Sequence, residues 1–131
     1  MTTRIATFVA AVLIAAATSG NPAPESAASR AEHLIQAQVE AYNRHDLDAF
    51  LKFYAETIQL YDFPDQPTTF GLEQMRERYA KRFGEAPNVK ANIAKRIVQG
   101  DFVIDHEELT GLPDGKAFKA VAIYQVSGDR I

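Results

Sequence analysis

From residue 89 onward the chain is cut into alternating apolar stretches by three turn signals, Gln99-Gly100-Asp101, Leu112-Pro113-Asp114-Gly115 and Ser127-Gly128-Asp129. Glycine beside aspartate or proline permits the tight reversals of hairpins, so residues 89–98, 102–110 and 116–126 read as consecutive antiparallel strands. Upstream, apolar residues recur at helical spacing instead. Leu34, Ile35, Val39 and Tyr42 mark a helix over 29–43, with Glu32, Gln36, Glu40 and Arg44 around the rest of its surface. Asp46 is a good N-cap for a short second helix carrying Leu47, Phe50, Leu51 and Tyr54, and Leu72, Met75, Tyr79 and Phe83 mark a third that ends at Gly84 and Pro87. Between them, 58–63 alternates, Pro64-Asp65-Gln66-Pro67 breaks it, and 68–70 pairs back. Helices first and a meander afterwards predict an α+β domain, with three helices packed on one face of a curved antiparallel sheet that leaves a mouth.

The chain has 131 residues, enough for one domain of this kind. It contains no cysteine, which excludes disulfides, thiolate nucleophiles and thiolate metal sites. Its net charge is −3 with both signs spread along the sequence, so nucleic acid and anionic membranes are not expected partners. Residues 1–20 hold one charge, Arg4, then the apolar run 5–17 and small Thr18, Ser19 and Gly20, the layout of a secretory signal peptide. Cleavage after Ala17, Gly20 or Ala28 fits. Residues 21–30 then read as a linker and 31–131 as the folded domain, soluble and periplasmic or secreted once the leader is removed.

The run VEAYNRHDLDAFLKFYAETIQLYDFP, the helix GLEQMRERYAKRF and the stretch IVQGDFVIDHEELTGLPDGKAFKAVAIYQVSGDRI resemble the SnoaL-like branch of the nuclear transport factor 2-like superfamily. Asn43-Arg44-His45-Asp46-Leu47-Asp48 is the most characteristic part. The resemblance implies a six-stranded, cone-shaped sheet of cystatin-like type wrapped around three helices, a lined pocket, and a homodimer formed through the sheet. Relatives continue into a further central strand beyond the position of Ile131, so the expectation is of a domain lacking its last strand. The superfamily hosts isomerases, cyclases, dehydratases, transport factors and binding proteins, so the fold does not choose an activity.

In its ketosteroid isomerase members the general base is an aspartate on the first strand, and spacing from Asn43 places Asp62 there. A carboxylate at the mouth of an apolar pocket has its pKa raised by desolvation, which suits it to shuttle a proton beside a carbonyl. The alternative role for Asp62 is capping the turn at Pro64. The isomerases' oxyanion-hole tyrosine falls on Gln38 and their late aspartate on Val121 or Ala120, so that pair does not carry over; Gln38, Tyr42 and Tyr124 are the substitute donors. In Asp105-His106-Glu107-Glu108, alternation splits the residues two and two between the faces of a strand without deciding which pair enters the pocket. With His106 inward, it forms an acid/base dyad with Asp62 across the cone. Tyr54, Phe63, Tyr79 and Phe102 are expected to line the cavity with Gln38, Tyr42 and Tyr124.

His33 and His45 read as surface residues. Arg76, Arg78, Lys81 and Arg82 form a basic helix face in which Glu73, Glu77 and Glu85 interleave, so solvated pairs are expected there. No metal and no cofactor are implied. The expected function is cofactor-independent proton transfer, of isomerase or cyclase type, on a small hydrophobic carbonyl compound such as a steroid. The alternative is a non-catalytic small-molecule binding or interaction domain of the same fold.

Overall fold

A computed structural model describes residues 23–131, and the leader-like residues lie outside the described part of the chain. Helix α1 spans Ala27–Asn43, α2 Leu47–Leu51 and α3 Gly71–Glu85; the strands are β1 Gln59–Asp62, β2 Gln66–Phe70, β3 Lys90–Gln99, β4 Phe102–Thr110 and β5 Phe118–Gln125. This is the expected α+β arrangement of three helices with antiparallel strands. Two boundaries differ. Helix α1 begins inside the expected linker because Ser26 caps it, its Oγ accepting from the Ser29 N–H at 3.1 Å. Strand β2 begins at Gln66 instead of residue 68, and β1 and β2 form a hairpin sheet of their own beside the sheet β3-β4-β5. The described residues thus hold five strands in two sheets where the resemblance implies six in one.

The short α2 starts at the expected cap, Asp46 Oδ1 accepting from the Ala49 N–H at 3.0 Å. It carries Phe50 and Leu51 into a core with Val39, Tyr42, Tyr54, Ile58, Met75 and Val89. Full burial of each such side chain contributes about 1.5–3 kcal/mol, so this small element anchors much of the domain. The corner between α1 and α2 is tied to the sheet. Asn43 Nδ2 donates to the Ala91 carbonyl at 2.9 Å while its Oδ1 accepts from the Ala91 N–H at 2.7 Å, and Lys90 Nζ donates to the Asn43 carbonyl. His45, at φ 56°, donates from Nε2 to the Val89 carbonyl at 2.7 Å and stacks on Phe83. It is therefore a half-buried clamp, not the surface residue expected; His33 is exposed, with Glu25 at 2.6 Å.

The turn at Gly100-Asp101 sets Gln99 opposite Phe102, which in turn sets Arg96 opposite Asp105. A bulge near Ala94 then brings Ile93 opposite Glu107. Val103, Asp105, Glu107 and Leu109 face the helices, while Phe102, Ile104, His106 and Glu108 occupy the outer face beside Ile97, Val121 and Ile123. Beyond the Ser127–Arg130 bridge, Ile131 donates to the Phe53 carbonyl at 2.8 Å and accepts from the Ala55 N–H at 3.0 Å.

Candidate functional site

Helices α1 and α3 and the inner sheet face line an open cavity of about 210 Å³. Gln38, Val39 and Tyr42 enter it from α1, Arg78, Tyr79 and Arg82 from α3, and Ala91, Glu107, Leu109, Phe118 and Tyr124 from the sheet. The spacing within α1 and within α3 puts these residues on one face of each helix. Tyr42 and Tyr79 belong to an aromatic cluster with Phe50 and Phe83, whose ring contacts of 4.5–6.4 Å hold the phenols in place. The wall is therefore mixed, apolar rings and aliphatic groups interrupted by a carboxyl, an amide, phenols and guanidinium groups, where a greasy pocket was expected.

Glu107 is the one carboxylic acid among the lining residues. It is half-buried, and Tyr124 donates to its Oε1 at 2.7 Å. Burial raises its pKa above the ordinary carboxylate value, while the Tyr124 hydrogen bond opposes that shift and nearby Asp105 adds to it. The phenols around it are also shifted upward by burial: Tyr42 to about 12, Tyr54 and Tyr124 well above the usual value, and Tyr79 upward. They remain O–H donors throughout the working pH range. On the opposite wall Gln38 donates from Nε2 to the Tyr54 hydroxyl at 2.8 Å, and its Oε1 is buried with no hydrogen-bond partner. An amide has two ends; Tyr54 engages one, and the other is left over. An unpartnered buried polar atom is unfavourable by about 1–3 kcal/mol.

Beneath Glu107, Asp105 is fully buried and accepts two hydrogen bonds from Arg96, Nε to Oδ1 at 2.7 Å and a terminal nitrogen to Oδ2 at 2.7 Å. Arg96 also donates to Gln36 Oε1 on α1 at 3.0 Å, so the fork bridges sheet and helix. The Asp105 carboxylate raises the Arg96 pKa in return.

The structure does not bring the expected dyad together. Asp62 is exposed at the end of β1, outside the cavity lining, because β1 and β2 form their own hairpin away from the inner face of the main sheet. His106 is exposed on the outer face of β4, opposite Lys95 and Val121. Phe63, 92% exposed beyond β1, and Phe102, on the outer face, are likewise outside. Gln38, Tyr42, Tyr79 and Tyr124 do line the cavity, and Tyr54 stands behind Gln38. Of the two pairs that alternation left open, the one with Glu107 faces inward, and Glu107 lines the cavity. The Gly100-Asp101 turn puts Val98, Val103, Arg96 and Asp105 on one face, but Ile97 and Ile104 make the other face equally apolar, so the sequence carried no signal of which face is inward. The interleaved pairing expected on α3 is also corrected, since Lys81 meets Glu85 but Arg76 meets Asp48, and Arg78 and Arg82 turn to the cavity without a carboxylate. Among the described residues no three acidic or histidine side chains gather as a metal site requires.

Residues 35–131 match the SnoaL-like domain family. No curated protein sequence matches the chain. Among solved structures it is similar to a cystatin-fold protein from Novosphingobium aromaticivorans, 25% identical with TM-score 0.69, covering 77% of this chain and 91% of that one. It is also similar to a candidate polyketide cyclase from Sinorhizobium meliloti, 15% identical with TM-score 0.65, covering 75% and 87%. A third is a candidate ketosteroid isomerase from Kribbella flavida, 16% identical with TM-score 0.66, covering 80% and 74%. The likeness is one of fold, the cystatin-like, nuclear transport factor 2-like arrangement.

Proposed function

The chain belongs to the SnoaL-like domain family, and from that premise we propose that its cavity binds a small carbonyl compound and moves a proton on it, as an isomerase or cyclase does, with Glu107 as the acid and base. The observation that carries this reading is a half-buried carboxyl, held by Tyr124 and raised in pKa by burial, facing the cavity. A carboxylate of raised pKa is a better base once ionised and a ready acid once protonated. It takes a proton from the carbon beside the carbonyl, the carbonyl oxygen gains the charge, and the same carboxylic acid returns the proton to that carbon or to a conjugated one. No co-reactant is consumed. Tyr42 and Tyr79 are the O–H donors in reach of the cavity for the developing oxyanion.

Exchange of deuterium into the α-carbon of phenylpyruvate, followed by proton NMR, tests the reading. Glu107→Gln is expected to slow enzyme-dependent exchange by about 100-fold or more while probe affinity is kept. Asp62→Asn is expected to leave the rate alone. Equal rates in wild type and Glu107→Gln refute the assignment. The rival reading, a binding domain without chemistry, is favoured by the presence of a single carboxyl in the wall; binding without exchange in the wild type supports it.

Two expectations belong with this reading. Export rests on the leader-like residues 1–20. Pairing with a second copy rests on the exposed Ile97, Val121 and Ile123, which with Ile104 form neighbouring rows of one apolar face.

A further inference from the structure

Helix α3 carries four cations, and they divide sharply. Arg76 meets Asp48 at 2.8 Å and Lys81 meets Glu85 at 3.8 Å, both on the surface. Arg78 and Arg82, one turn apart, have no carboxylate within ion-pairing distance among the described residues; Arg78 makes one long hydrogen bond, to Thr69 Oγ1 at 3.3 Å. Both line the cavity, and both also line an adjoining hollow of about 310 Å³ with Lys81, Glu85, Ala86, Leu112 and Pro113, where Glu85 is taken up by Lys81. They therefore stand at the partition between the inner cavity and the outside. Arg82 is half-buried there. Two guanidinium groups one turn apart repel one another, and the partial burial of Arg82 removes some of the water that would screen its charge, while Arg78 is exposed. An anion between them relieves both terms.

Behind the arginines the wall changes character in order. Tyr79 lines the cavity from α3 together with Arg78 and Arg82, and Glu107 lines it from the sheet. Gln38, 4% exposed, lines the same space from α1. A molecule with a negative group at one end and a carbonyl at the other matches this gradient: the charge stays at the mouth and the reacting carbon reaches Glu107. We propose that the ligand of this cavity is a small carbonyl compound bearing a carboxylate, which Arg78 and Arg82 hold at the mouth. The proposal rests on the cavity reading above but requires no proton transfer for the anion to bind. Guanidinium groups favour a carboxylate because their planar forks match its two oxygens.

The test compares phenylpyruvate with its methyl ester, which differ in that one charge, on the full chain by titration calorimetry. The acid is expected to bind at least about tenfold tighter than the ester, a preference that falls with added salt. Arg78→Gln and Arg82→Gln each remove part of that preference and together abolish it, the acid losing more affinity than the ester; circular dichroism checks that both variants are folded. Equal binding of acid and ester, or a preference that survives the double substitution, overturns the proposal, as does failure of both probes to bind. Glu107→Gln separates this from the catalytic reading. A carboxylate preference without deuterium exchange retains the anion site and discards proton transfer, whereas exchange on both probes without a preference does the reverse.

Discussion

A carboxylic acid held half out of water, as Glu107 is, makes the folded state prefer its neutral form, and folding therefore becomes sensitive to pH. Because its pKa is raised above 4.5 on folding, the stability associated with its neutral form is complete below that value and is lost as pH rises through the folded pKa. Glu107→Gln keeps an acceptor for Tyr124 and removes the titration. The difference in melting temperature between variant and wild type is therefore expected to grow in the variant's favour as pH climbs above 4.5, measured by circular dichroism in matched buffers. Parallel curves would contradict the burial argument. Below it, Asp105 is fully enclosed and depends on one fork. Arg96→Met strands that carboxylate, with an expected loss of about 3–5 kcal/mol in urea unfolding.

Strand β4 shows how much of the site was readable and how much was not. The helices, the turns and the strands they join follow directly from periodicity and from glycine placement, and the two-residue turn even sets Arg96 opposite Asp105. Counting from Asn43 to Asp62 identified a position along the chain, but it carried no information about which sheet that strand joins. The pairing of β3 with β4 did not give the direction of β4 either, since Val98 opposite Val103 on the inner face is matched by Ile97 opposite Ile104 on the outer one, and only packing against the helices separates them. The bulge at Ala94 was hidden because nothing in Ile93-Ala94-Lys95 breaks alternation strongly enough to mark it. One glycine at the end of β4 has a sharper duty. A Cβ at Gly111, φ +72°, would lie 1.9 Å from the Asn88 carbonyl oxygen, whereas one at Gly115, φ +70°, meets nothing within 4 Å. Gly111→Ala is expected to lose at least about 2 kcal/mol and Gly115→Ala only about 1, so their difference in denaturant midpoint isolates the contact between β4 and the loop before β3.

At the scale of the whole molecule, the resemblance drawn from three sequence stretches identified the fold, since helices followed by a meander survive extensive substitution. It could not transfer the chemistry, because the groups that do it differ residue by residue. The export proposed above constrains the start site as well: cleavage after Ala28 would remove the Ser26 cap of α1, so N-terminal sequencing of a processed chain is expected to find a terminus upstream of Ser26. The outer apolar face predicts that Val121→Lys shifts sedimentation from dimer to monomer. That face and the cavity share β4, whose even-numbered side chains look outward and whose odd-numbered ones look inward. Whatever presses on Ile104 thus steadies the backbone that aims Glu107, and specific activity should decline on dilution as copies part, an assay that reports assembly through turnover.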